Sequence, residues 1–530
     1  MVMASTSLRE DYWQTFQLDT EDVEFIYQHL LEVETPLTSE ELLPVLVEER
    51  IRREVEALEK QRVAGGQIYL PKEKFDIGQK LVFPALGWQK GEVLGARPGK
   101  NPDVAAFDVI SVLMENGEEH EFASGFEEHL LNNPAEVIYE DEIMNAAYVL
   151  EVYHDELLKS LDVDLEQNAD FVKIAGRWFP LALLMDINVG HLNLAEAVLD
   201  MNGGGPMTTN SILEQVEIET SENDKLVEFS FDFALEQDER FDEVGPAGKI
   251  LWYLQRLEPE EVRETPIFLK YSPIEYDRSL LTEDMLALER LLDDEQSIHL
   301  PAPEGKAVPD EVEVRLIYPH LQAGTLPLSA RVRPIFPTAY EAPRVRFILR
   351  DGENGDEFPG WVVLKERYVF GLKDWFLERG LGPGSIVRVQ AGEKLGEVIV
   401  SAGARRSSRD WMRTVLVGSD GGIVFAMLRQ IVEAEYDERM AIAVPDMENL
   451  EKIWHRPAKQ QPSLERAVVD MVRELTKLNP QGHVHTSELY AAVNLIKRCP
   501  PGPIMALLAS RPWFVHVGDL HFRFDDSEQG

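Results

Sequence analysis

SRPWFVHVGDLHFRFDD (residues 510–526) places alternating apolar residues on either side of a Gly-Asp pair, and NADFVKIAGRWFPLA (residues 168–182) repeats the arrangement earlier in the chain. RFDEVGPAGKILWYL (residues 240–254) is a third version, with an aromatic residue, a glycine near the turn and an aromatic second strand. A hairpin that lays one face on a helical core needs period-two alternation, and its turn favours glycine, which enters positive φ without penalty. Each copy follows segments of helical periodicity, so the repeated unit reads as three helices closed by a hairpin. It is scaffolding before it is chemistry.

Working outward, Thr20 is placed to cap EDVEFIYQHLLEVE, where Val23, Ile26, Tyr27, Leu30 and Leu31 recur at helical spacing. Thr38 with Glu41 forms a capping box for a second helix, and RIRREVEALEKQRV reads as a third that leads into QIYLP, so residues 18–74 are expected to close as the first module. Residues 75–135 switch to short alternating strands with an Asn116-Gly117 hairpin signal, the pattern of a small, strongly bent β-barrel of the Tudor or KOW kind. Residues 136–260 return to helices and hairpins. Residues 261–410 are expected to form a β-rich central domain, with strands in EVEVRLIYP, LSARVRPIF and APRVRFILRD, and then strand, short helix, Gly-Pro-Gly turn and strand. Residues 411–462 are expected as a helical connector, with IVFAMLRQIVEAEY helical, and residues 463–526 as the last module, whose third helix begins near Pro503. The fold class is α+β, multi-domain.

A chain of 530 residues exceeds a single core, and 44% apolar residues with nine Trp and 23 Phe are enough to build several. The formal charge of −43 repels phosphate at long range, so a protein that simply coats nucleic acid is not expected and any such contact must come from a local patch. One cysteine, Cys499, rules out an internal disulfide framework and fits a reducing compartment, making the cytoplasm the expected location. The opening MVMASTSLREDYW has no basic segment followed by an apolar run, and no long apolar window occurs, so neither secretion nor a membrane partner is expected.

Phe514, Val515, His516, Val517, Gly518 and Phe522, with Phe171, Val172, Lys173, Ile174, Gly176 and Trp178 as a weaker echo, resemble the winged helix-turn-helix superfamily. The resemblance is to modules of the kind found in HARE-HTH domains and in the delta subunit of bacterial RNA polymerase. KERYVFGLKDWFLERGLGPGSIVRV is similar to DNA-binding pseudobarrels. These resemblances imply a bacterial-like, transcription-associated factor that binds DNA, RNA polymerase or another protein without catalysis.

Candidate contacts follow from charge. Residues 331–413 hold 15 Lys or Arg against 11 Asp or Glu, a local excess inside an acidic chain. Arg331, Arg333, Arg344 and Arg346 alternate with apolar residues as one face of a strand would, and Arg405, Arg406, Arg409 and Arg413 form a basic cluster suited to phosphate. In the last module Lys497, Arg498, Arg511 and Arg523 flank the third helix and hairpin, the elements that dock on DNA in the usual geometry. The competing reading is that these arginines pair with acidic residues of the same chain. On the third helix expected in the first module, glutamates interleaved with Arg50, Arg52, Arg53, Lys60 and Arg62 predict a salt-bridged face. His483, His485, His516, His521 and Cys499 match no zinc spacing, and no hydrolase, kinase or dinucleotide motif occurs, so no metal, cofactor or enzymatic activity is expected. The expectation is a DNA- or transcription-associated factor; the alternatives are an acidic protein–protein adaptor, for example of RNA polymerase, or an accessory subunit of a DNA-processing or defence system.

Overall fold

The computed structural model describes residues 11–63, 66–86, 88–100, 106–132, 142–216, 218, 223–297, 299–300, 309–394, 396–418, 422–525 and 527, without the side chains of 58–63, 404–407 and 458. The chain is mixed α and β and divides near residue 184 into two compact units.

In the first unit, helix Thr20–Val33 begins one residue earlier than the sequence suggests, at an Asp19 cap that exchanges hydrogen bonds with Asp22. The Thr38 and Glu41 capping box forms as expected and opens helix Ser39–Val63, which runs unbroken through RIRREVEALEKQRV, so the third helix expected there is the continuation of the second. Asp22 is buried and accepts from Arg50 and Arg53, while Arg52 pairs with Glu49 and Glu56, so this basic run is a salt-bridged face. Residues 18–74 do not close on themselves. Gln67–Ile68 pairs parallel with Lys80–Phe83 in a five-stranded sheet, and Leu37–Thr38 pairs with a hairpin far along the chain, Leu37 opposite Trp178. The third helix, Ala146–Glu166, and the hairpin Phe171–Ile174 with Arg177–Pro180 complete the module only after that sheet. Apolar packing explains the choice: QIYLP spends its aromatic residue, Tyr69, in the core of the five-stranded sheet, whereas Leu157, Leu161, Trp178 and Phe179 are all buried in the module.

The inserted sheet continues through Gln89–Pro98, Asp108–Met114 and Glu119–Ser124 as an antiparallel meander around Tyr69, Phe75, Leu81, Phe83, Ile110 and Val112. Its Asn116-Gly117 turn places Gly117 at φ 83°, which only glycine adopts freely, and a bulge between Val93 and Gly95 bends the sheet.

The second unit repeats the helix, helix, helix, hairpin order twice. Helices Val189–Met201, Thr209–Leu213 and Asp224–Glu236 precede strands Phe241–Glu243 and Trp252–Leu254, and Met207 bridges to Trp252. Helices Leu464–Thr476, Thr486–Val493 and Pro501–Ser510 precede strands Phe514–Gly518 and His521–Phe524, and Val484–His485 pairs with the second of these. Between the two modules lies a seven-stranded, nearly closed sheet. Its order is Val312–Arg315, Ile386–Ala391, Glu397–Ala402, Arg344–Asp351, Glu357–Val363, Tyr368–Phe370 and Thr325–Pro327, and only the contact of Arg344–Asp351 with Glu397–Ala402 is parallel.

Two expectations for this region are corrected. LSARVRPIF is not a strand: Thr325–Pro327 ends at a proline, and Arg333–Ile335 is a single 3-10 turn containing another, so the segment lacks the amides a ladder needs while Leu328, Val332 and Ile335 still fill the core. The helical connector is instead a long β-ribbon, Ala404–Val417 against Ile423–Ala434. A short apolar run fits either period, and here β-branched Ile423, Val424, Ile431 and Val432 favour the strand. The helix lies further on, at Met447–Trp454.

Candidate interaction ribbon

Most of the arginines singled out by charge are satisfied inside the molecule. Strand Arg344–Asp351 alternates as expected, but its basic face is covered by the module before it. The Arg344 guanidinium donates to Asp242 and to the Val262 carbonyl and lies 3.4 Å from Glu258. Arg346 sits over the rings of Tyr253 and Trp361, and Arg350 faces Glu397. Burial, with Asp242 beside it, pushes the Glu258 carboxyl up to about 8, and burial likewise raises Glu243 to about 7. Arg331 pairs with Asp293, and Arg333 is exposed on its 3-10 turn.

The last module repeats this outcome. Arg498 is fully buried, donating to Asp294 and Glu295 at 2.6 Å each, and Tyr490 Oη donates to Asp294. His320 completes the cluster at 3.2 Å from Glu295; burial opposes the charge on Glu295, and Arg498 and His320 overcome it and hold the carboxyl well below its ordinary range. Arg511 pairs with Glu465, Lys497 is half-buried, and Arg523 is exposed on the second hairpin strand. Arg498 therefore holds the module together and does not face outward, whereas Arg511 is paired with Glu465 but stays partly exposed.

In the winged-helix geometry expected from the sequence the third helix of each module would enter a major groove, and none of the three suits phosphate. Ala146–Glu166 exposes Glu151, Asp155, Glu156 and Glu166 against Lys159. Asp224–Glu236 carries Asp224, Glu228 and Glu236 against Lys225, with Asp232 buried. Pro501–Ser510 is buried from Pro501 to Ala506, packed with Leu281, Met285 and Leu288. Gly502 permits this approach: a side chain there would meet Tyr276 Oη at 2.3 Å.

The ribbon behaves differently. It is anchored at one end by Ala402 and Ala434 in the seven-stranded core and near the other by Val415 and Phe425, which join Val468 and Val469 of the last module. The Val415 amide donates to the Ala443 carbonyl, and the Ala443 amide returns a bond to Arg413, fixing a third segment alongside. Between the anchors one face stands open. Cross-strand register places Arg409 opposite Ile431, Trp411 opposite Arg429 and Arg413 opposite Met427, so all six share that face. Trp411 is 61% exposed and Ile431 63%, with Met427, Arg409 and Arg429 also exposed. The Arg429 guanidinium lies 5.3 Å from the centre of the Trp411 ring. Neither Arg409 nor Arg429 forms an ion pair with a described carboxylate, and Glu433, next on the strand, turns toward Gly380. Arg413, in contrast, is drawn inward, donating to the Glu438 carbonyl beside Glu488, 3.5 Å away. The side chains of Arg405 and Arg406 lie outside the described residues.

Charge counting reached Arg409 but missed Trp411, Met427, Arg429 and Ile431, because only the hairpin register brings them to one face. The signal lay in Gly422 followed by an apolar run rich in β-branched residues, read as a helix. The histidines group only in part: His483 and His485 lie against the His521 ring, and burial lowers His485 to about 4. Among the described residues no three His, Cys, Asp or Glu side chains are placed to hold a metal, and no helix is long and apolar enough to cross a membrane. The chain matches no protein-family model, no curated protein and no solved structure.

Proposed function

We propose that this chain is a non-enzymatic protein–protein adaptor, built on three winged-helix modules, that docks an acidic, apolar-faced partner on the open face of its ribbon. The observation that carries the reading is the grouping of exposed Trp411, Ile431 and Met427 with Arg409 and Arg429 on one fixed face. Single exposed apolar residues are ordinary, but a contiguous group marks an interaction surface. Trp, Arg and Met are the residues enriched at the centres of protein interfaces. Two guanidiniums without carboxylates opposite, in a chain of −43, select an acidic partner.

The winged-helix assignment rests on the strand order shared by the modules and on the hairpin resemblance. The acidic or buried third helices argue against DNA reading by those modules, which moves the weight from the DNA-binding expectation to the adaptor. A second reading has one observation in its favour. Arg429 stacked beside an exposed indole is also a platform for an unpaired base, so single-stranded nucleic acid competes for the same face.

Fluorescence anisotropy with the full chain separates the two. The probes are a labelled peptide alternating Glu with Leu and Phe, a thymidine oligonucleotide and a DNA duplex, at low and physiological salt. The adaptor reading expects the peptide alone to bind, and Arg409→Ala with Arg429→Ala to weaken it about tenfold or more. Tighter binding of the oligonucleotide, or indifference to the double substitution, overturns it. Purified RNA polymerase is the first large partner to test, on the strength of the resemblance to its delta subunit.

A further inference from the structure

A second surface, on the seven-stranded domain, has the opposite character. An open cleft of about 420 Å³ lies between strand Glu357–Val363, strand Tyr368–Phe370 and helix Lys373–Glu378. Its floor is aromatic and apolar: Phe358, Pro359, Trp361, Phe370 and Trp375. Asp356, Glu357, Asp374 and Glu378 line it with exposed carboxylates, none of them in an ion pair with a described residue, against the single cation Lys373.

The floor is rigid. Trp375 Nε1 donates to Asp351 at 2.8 Å, and Arg379 neutralises that carboxylate, so Asp351 is spent on holding the helix rather than on a ligand. Gly371, at φ 122°, closes the back of the cleft where a side chain would meet the Pro359 carbonyl at 2.4 Å, so this wall stays bare backbone. A volume in the range of ligand sites, an aromatic base and an uncompensated anionic wall are the components of a cation-binding site with an apolar body to cover.

We infer that this cleft binds a basic peptide segment, seating an arginine or lysine side chain over the aromatic floor with its charge toward Glu357, Asp374 and Glu378. The cleft is open along one side rather than enclosed, which lets a chain run through it, and its charge selects a cation. The ribbon takes no part, so the two surfaces make the chain bivalent, one for an acidic partner and one for a basic segment.

The test uses the full chain and a fluorescein-labelled Gly-Leu-Arg-Leu-Arg-Gly peptide at low salt. The same peptide with citrulline for arginine and free spermidine as competitor are the controls. The inference expects saturable binding to the arginine peptide, weakened about tenfold by Asp374→Asn with Glu378→Gln, as expected when two charge-assisted contacts are lost. Arg409→Ala with Arg429→Ala should leave that binding unchanged, which keeps this result separate from the fate of the ribbon. No binding, equal binding of the citrulline peptide, or indifference to the cleft substitutions overturns the inference. Displacement by equimolar spermidine overturns the peptide assignment and gives the site to a free polyamine.

Discussion

Strand Arg344–Asp351 and ribbon strand Ala404–Val417 both carry arginines along an extended segment, and the fold uses them in different ways. The first is covered by a module whose hairpin and following loop bring Asp242, Glu258 and the face of Tyr253 to it, and the neighbouring strand adds the ring of Trp361. Among the described residues the second meets no carboxylate at Arg409, nor does its partner strand at Arg429, and the Trp411 indole is left in solvent. What an arginine does is decided by what the fold places opposite it. In a chain with 95 acidic residues, the ones left unpaired are the informative ones.

The contrast is sharpest at Arg498, which shares two buried carboxylates. Arg498→Ala should destabilise the last module by about 3–5 kcal/mol, because Asp294 and Glu295 would remain buried without a partner. Faster hydrogen exchange in Thr486–Val493 and Pro501–Ser510 is the expected readout. Native-like exchange would mean that the cluster is wet and loosely held.

Carboxylates obey the same rule. Burial pushes Asp232 up to about 7 from 3.8, only partly offset by donation from Thr209 Oγ1 and Trp252 Nε1. A raised carboxyl pKa favours the folded state below the unfolded value and loses that contribution as pH rises through the folded value. The module Val189–Leu254 should therefore lose roughly 2–4 kcal/mol between about pH 4 and pH 7 from this group. Asp232→Asn should flatten that slope, measured by exchange at Phe241–Glu243 and Trp252–Leu254 at pH 5 and pH 8. A slope unchanged by the substitution would assign the pH dependence elsewhere.

Arg344→Ala removes a partner from Asp242 and Glu258 and should cost about 1–3 kcal/mol in the docking of that hairpin. Least of all, Arg409→Ala and Arg429→Ala should leave thermal stability within about 0.5 kcal/mol of wild type, as surface changes do. A larger loss would place the ribbon arginines in the same class as Arg344 and erase the comparison.

Much of the architecture was legible because local signals sufficed. Capping at Thr38, the Asn116-Gly117 turn, the proline-led helix Pro501–Ser510 and the closing hairpins all depend on neighbours in sequence. A further repeat became readable only with the register. PLTSEELLPVL (residues 36–46), PMTTNSILEQV (206–216) and HVHTSELYAAV (483–493) each give one sheet contact, a helix cap and a second helix. Leu37, Met207 and Val484 face Trp178, Trp252 and Phe522, and Thr38, Thr208 and His485 are the caps. The insertion of a five-stranded sheet between the second and third helices of the first copy hid the match, since helix and hairpin are separated there by long-range pairing. The internal role of Arg498 was equally hidden: its partners Asp294 and Glu295 lie some two hundred residues away and carry no local mark. The open face needed a register that periodicity alone could not choose.

A hydrogen-exchange footprint of the Glu, Leu and Phe peptide on the full chain decides whether the ribbon is the docking face. Protection should concentrate in Ala404–Val417 and Ile423–Ala434 and be lost in the Arg409→Ala, Arg429→Ala protein. Protection in Ala146–Glu166, Asp224–Glu236 or the hairpins, with the ribbon unchanged, would contradict it.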